Sequence, residues 1–139
     1  MGGKTVLIVD DEPGIVRFVA TVLRSNGYGV LEATDPLAAL QLAEKHAGTI
    51  DLLLTDVRMP GLRGPELCER LRPQRPEAHY LLMSGDANSI ETLGLPFLAK
   101  PFLIPELLQC VEQVLGAAPG QPAERARYVR AASRSSDGR

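Results

Sequence analysis

The sequence predicts an α/β domain: a doubly wound, five-stranded parallel sheet with helices on both faces. Two observations carry that prediction. Short continuous apolar runs recur along the chain, as in strands buried on both sides rather than half-exposed ones. Between them, apolar residues fall at helical spacing, so strand-like and helix-like segments alternate, the pattern that builds βαβ units.

The elements follow in order. TVLIV (5–9) is the first strand by its β-branched content. Ile15, Phe18, Val19, Val22 and Leu23 then repeat at helical spacing, with Pro13 suited to the first turn and Asn26-Gly27 to the stop. YGVLE (28–32) is the second strand. Asp35 and Pro36 read as an N-cap and first helical residue, opening a helix to about His46. DLLLT (51–55) is the third strand, and a short helix runs from Pro65 to Leu71, before Pro73 and Pro76. HYLLM (79–83) and PFLA (96–99) are the fourth and fifth strands. A last helix opens at Pro105, with Leu107, Leu108, Val111, Val114 and Leu115 on one face.

At 139 residues the chain is long enough for one good core. No apolar run approaches a bilayer span, and the first residues lack a signal-peptide pattern, so a cytoplasmic protein without membrane contact is expected. MGGKTV opens like a myristoylation site but places Val6 where that motif needs Ser or Thr. Cys68 and Cys110 each fall inside a predicted helix and read as buried thiols rather than a disulfide or metal pair.

Charge divides the chain. Residues 1–116 carry 10 basic and 15 acidic side chains, whereas 117–139 carry five Arg and two acids. The acidic body has no nucleic-acid footprint. A domain over 1–116 and a basic tail or linker over 117–139 are therefore expected, since the tail is too rich in Pro, Gly, Ala and Ser to bury much apolar surface. A short basic helix over 122–132, resting on a partner or nucleic acid, is the alternative.

Parallel sheets bind ligands outside the carboxyl ends of their strands. There the predicted strands deliver Asp10-Asp11-Glu12, Asp56, Ser84-Gly85 and Lys100-Pro101. Carboxylates so gathered repel one another unless a hard divalent cation such as Mg2+ and the Lys100 ammonium offset them. A carboxylate beside such charges can act as a nucleophile toward phosphorus, and a strand-end hydroxyl can hydrogen-bond the transferred group. Asp10-Asp11-Glu12 is also placed to cap the first helix. His46 and His79 lie away from this edge.

VLIVDDEP, DLLLTDVRMPG, LLMSG and FLAKPF stand in an order and strand context that resembles the receiver domains of two-component response regulators, over about residues 4–116. The resemblance implies a flavodoxin-like three-layer fold. It implies Asp56 as phosphoacceptor, Asp11 as direct Mg2+ ligand, Asp10 acting mainly through metal-bound water, and the Arg58 backbone carbonyl completing the ligand set. Ser84 and Lys100 match the hydroxyl and lysine that meet the phosphoryl group. Phe97 matches the aromatic switch position, and Lys100-Pro101 is a candidate cis bond. The implied donor is a histidine kinase or a histidine phosphotransfer protein, with self-catalysed transfer and dephosphorylation but no turnover of an outside substrate.

Two departures stand out. Phe97 replaces the commoner tyrosine, so no phenolic hydroxyl is offered there. The interval from Ser84 to Lys100 is short for the family, which predicts a stunted or irregular fourth helix within 88–93. Two other functions compete with this one. An aspartyl-phosphate phosphatase tends to carry a second acid two residues after its nucleophile, where Arg58 stands. A docking module independent of phosphorylation has no need of the complete acidic, hydroxyl and lysine set.

Overall fold

The computed structural model describes residues 3–85 and 95–116. Strands β1 (Thr5–Val9), β2 (Gly29–Ala33), β3 (Leu52–Asp56), β4 (His79–Ser84) and β5 (Phe97–Ala99) alternate with helices α1 (Pro13–Ser25), α2 (Pro36–Lys45) and α3 (Gly64–Leu71), and α4 (Ile104–Gly116) follows β5. All strand pairs are parallel, in the order β2-β1-β3-β4-β5. This is the doubly wound architecture the sequence predicts. The expected short helix within 88–93 and the tail over 117–139 lie outside the described residues.

Strand side chains alternate between faces, and each face has its own core. Val6, Ile8, Leu52, Leu54, Leu81, Met83 and Leu98 point to the side covered by α1 and α4. Leu7, Val9, Leu53, Tyr80, Leu82 and Phe97 point to the side covered by α2 and α3. Both faces of β1, β3 and β4 are therefore dry, which is why those segments read as unbroken apolar runs. Cys110 belongs to the first core and Cys68 to the second. The sheet separates them, and both thiols are free and buried.

Several local expectations are met, and some boundaries shift. The Asp35 side chain caps α2 by accepting from the Ala38 N–H at 2.9 Å, and Pro36 takes the first helical position. Tyr28 closes the α1 turn instead of opening β2, because its N–H bonds the Leu23 carbonyl; pairing with β1 begins at Gly29. Phe18 is 42% exposed, a departure from the predicted apolar stripe. The sheet-facing row of α1 is Val16, Val19, Ala20 and Leu23, and Phe18 falls on its flank. On α4, Leu107, Cys110, Val111 and Val114 are buried, while Leu108 and Leu115 pack partly exposed at the margin.

Candidate functional site

Chain direction across the sheet reverses between β1 and β3: β2 lies on one side of β1, and β3 with β4 and β5 on the other. Helices on opposite faces diverge there and leave a crevice at the carboxyl edge. Asp10 and Asp11 follow β1, and Asp56 ends β3, so the acids stand on both sides of that point. Ser84 ends β4 and Lys100 follows β5.

Asp10 is fully buried, a position a carboxylate tolerates only when bonded. Its Oδ1 accepts the Glu12 N–H at 2.9 Å, and its Oδ2 accepts from Lys100 Nζ at 2.9 Å. Glu12 occupies the N-cap position of α1, and its own side chain makes no capping bond there; of the three acids it is Asp10 that bonds the main chain at the start of α1. Asp56 is 9% exposed. Its Oδ1 accepts from the Val57 N–H at 3.0 Å and from Lys100 Nζ at 3.4 Å. Lys100 thus bridges the two buried acids. The main chain fixes it: its N–H donates to the Ser84 carbonyl at 2.7 Å, and the Lys100–Pro101 bond is cis, as expected.

The electrostatics follow from this geometry. Burial pushes the Asp56 carboxyl above the ordinary carboxylate range; Lys100 pulls it back, the Asp10 charge adds to the rise, and the Val57 N–H opposes it. Burial alone would lower the Lys100 ammonium. The hydrogen bond it donates to Asp10 and the charges of both acids outweigh it, and Lys100 ends above its ordinary value. The lysine stays charged and Asp56 stands ready to gain from further positive charge.

Carboxylate oxygens of Asp10, Asp11 and Asp56 lie within 4.8 Å of one another. An octahedral ion with oxygen bonds of about 2.1 Å holds neighbouring ligands roughly 3 Å apart and opposite ones roughly 4 Å apart. The all-oxygen set therefore fits a hard divalent cation after small side-chain movement. Both oxygens of Asp10 are already bonded, which suits it to act through metal-bound water, while exposed Asp11 is open to bind directly. A cleft of about 360 Å3 covers the edge, lined by Asp56, Arg58, Ser84, Lys100 and Glu12 among others. Arg58 and Ser84 are thus placed with Asp56 and Lys100. Phe97 is not on the cleft: it is 7% exposed and packs into the α2/α3 core.

Glu12, which the sequence delivers to this edge with Asp10 and Asp11, joins the cleft wall. One contributor has no such signal: Gly64 opens α3 directly against the Asp56 peptide, and nothing in the local sequence marks that contact.

Such a sheet, with three acids, a hydroxyl and an ammonium meeting at its switch point, defines an α/β domain that presents a carboxylate among charges suited to phosphoryl chemistry. Residues 6–112 match the response regulator receiver domain family, and the chain belongs to it. It is 42% identical to the receiver domain of the hybrid histidine kinase CckA, with a TM-score of 0.70 over 80% of this chain and 98% of that one. It is 32% identical to sporulation initiation phosphotransferase F of Bacillus subtilis, over 83% of this chain and 96% of that protein. It is 27% identical to the response regulator TrrA of Thermotoga maritima, solved in complex with Mg2+–BeF, with a TM-score of 0.69 over 80% of this chain and 98% of that one. The chain spans about half, or less, of the length of the first curated relatives it matches. The protein described here is a receiver domain of two-component signalling. Among the described residues, no helix is long and apolar enough to cross a membrane.

Proposed function

We propose that Asp56 accepts a phosphoryl group, in a Mg2+-dependent reaction, from a histidine kinase or a histidine phosphotransfer protein. One observation carries the reading: a single ammonium, Lys100 Nζ, lies 2.9 Å from Asp10 and 3.4 Å from Asp56, inside an acid set spaced for a divalent cation. Mg2+ held by Asp11, Asp56, the Arg58 carbonyl and, through water, Asp10 would supply positive charge to the transferring oxygens. The Mg2+–BeF complex of TrrA supports that choice of metal.

The chain's own residues supply the rest. The Val57 N–H and Lys100 Nζ both bond Asp56 Oδ1, and Oδ2 is the oxygen that attacks phosphorus. The new P–O bond forms as the P–N bond to the donor imidazole breaks, and that imidazole departs with the bonding pair and takes a proton. Lys100 remains protonated throughout and offsets charge on the phosphoryl oxygens. The Ser84 hydroxyl, at the end of the neighbouring strand, donates to one of those oxygens. Its movement toward the phosphoryl group frees space beside β5, and Phe97 responds by changing its packing, which carries the signal to the surface. Slow hydrolysis of the same acyl phosphate resets the domain, with no outside substrate turned over.

The test is intact mass after incubation with Mg2+ and acetyl phosphate, beside Asp56→Asn. One added phosphoryl group, absent from the variant and absent without Mg2+, is expected. A wild-type chain that binds Mg2+ yet gains no mass from this donor or from a phosphorylated histidine phosphotransfer protein would leave a docking module as the reading.

A further inference from the structure

We infer that Gly64 is a positioning residue for phosphoryl transfer at Asp56, an inference that rests on the phosphoacceptor reading above. Gly64 begins α3, eight positions after the acceptor, and its N–H donates to the Val57 carbonyl at 2.8 Å. That bond closes the loop carrying Arg58 back onto the end of β3. Gly61 permits the tight turn within the loop, with φ at +97°. A Cβ built on Gly64 would come closer to the Asp56 carbonyl oxygen than real Cβ atoms approach any neighbour. It would also lie 3.1 Å from the Val57 Cα and 3.2 Å from the Asp56 carbonyl carbon.

All three obstacles are main-chain atoms of the acceptor segment, so no flexible side chain can yield to relieve them. Either the start of α3 retreats or the Asp56–Val57 peptide moves. Both reach the site: the Val57 N–H bonds Asp56 Oδ1, and the Val57 carbonyl anchors the loop bearing the Arg58 carbonyl. The missing side chain at Gly64 lets a rigid helix serve as a backstop for the acceptor. Misplacing a reacting group by an ångström costs about 100-fold in rate.

The experiment compares wild type, Gly64→Ala and Arg75→Ala, each as the full chain. Arg75 braces α2 and its following loop rather than the site, so its variant controls for lost stability. Two readouts are taken: Mg2+ affinity by calorimetry, and the initial rate of phosphorylation by acetyl phosphate at saturating Mg2+. Gly64→Ala is expected to weaken Mg2+ binding by about tenfold and to slow phosphorylation by about 100-fold. Arg75→Ala is expected to stay near wild type in both. Should Gly64→Ala not fold, the amide spectrum of the wild type decides. The Gly64 N–H resonance then shifts with added Mg2+ at the same midpoint as that of Val57, and a stationary Gly64 resonance overturns the inference. Wild-type affinity and rate in Gly64→Ala would overturn the role of Gly64 alone. A wild type that neither binds Mg2+ nor takes up phosphate would overturn the phosphoacceptor reading as well.

Discussion

Asp56 is held where ionisation costs free energy, because burial and the neighbouring Asp10 oppose its charge more than Lys100 and the Val57 N–H support it. Its pKa in the folded chain exceeds that in the unfolded chain. The folded state therefore binds more protons, and this group's contribution to stability is present below the ordinary carboxylate pKa and lost as pH rises through the raised value. Asp56→Asn is accordingly expected to be more stable than wild type at neutral pH, with the gap closing on acidification; equal urea midpoints across that range would refute this. Lys100 follows the same sign in a more alkaline window. Its folded pKa is raised, so its contribution persists up to the ordinary lysine value and disappears only as pH rises through the raised one. Lys100→Ala strands the fully buried Asp10 without its charged donor and should cost about 2 kcal/mol in urea denaturation. The same variant should bind Mg2+ more tightly than wild type, since the acids then lack their ammonium. Looser Mg2+ binding would show that Lys100 orders the acids instead of competing for them.

The elements around the site are held by contacts of long sequence separation. Arg75, between α3 and β4, donates to the carbonyls of Ala43 at 2.8 Å, His46 at 2.7 Å and Gly48 at 2.7 Å. One guanidinium thereby satisfies carbonyls at the open end of α2 and in the turn beyond it. Arg75→Ala should cost about 3 kcal/mol, and Arg75→Lys should recover only part, because a point charge cannot reproduce the planar fork. A denaturation midpoint unchanged in Arg75→Ala would mean that water replaces all three bonds. Contacts of this kind set the limit of what was legible in the sequence. The strands were readable because β1, β3 and β4 are dry on both faces, and their burial leaves a signature within five or six residues. The α2 cap was readable because Asp35 and Ala38 are neighbours in sequence. The acids, Ser84 and Lys100 were found because parallel strands bring all their carboxyl ends to one edge, which converts separate motifs into a site. Arg75 and Gly64 left no local trace: one acts across some 30 residues, and the other matters through the absence of a side chain against a distant peptide. Phe18 was misassigned for the complementary reason, since its spacing fits a helix but not the row that the sheet covers.

At the scale of the whole molecule, the two cores lie on opposite faces of the sheet, and the site sits where the sheet's winding reverses. A cation joining Asp11 to Asp56 would tie the end of β1 to the end of β3, and Lys100 extends the tie to β5. Binding there acts on the native state alone, because the unfolded chain scatters those groups. It should raise the melting temperature, with a stabilisation of about 2.7 kcal/mol at a Mg2+ concentration 100 times the dissociation constant. Protons and Mg2+ compete for Asp56, whose raised pKa makes that competition begin above the ordinary carboxylate range. The Mg2+-induced rise in melting temperature should therefore shrink on acidification, starting above the ordinary carboxylate range. Asp56→Asn should show a smaller rise with weaker pH dependence, since it has no proton to lose there. Hydrogen exchange should slow together at the carboxyl ends of β1 and β3 when Mg2+ is added, and not at the opposite ends, where Asp51 already bonds the Thr5 N–H at 2.8 Å. A Mg2+ shift identical in wild type and Asp56→Asn, and flat with pH, would place the cation elsewhere on the molecule and remove the metal from the site built at this edge.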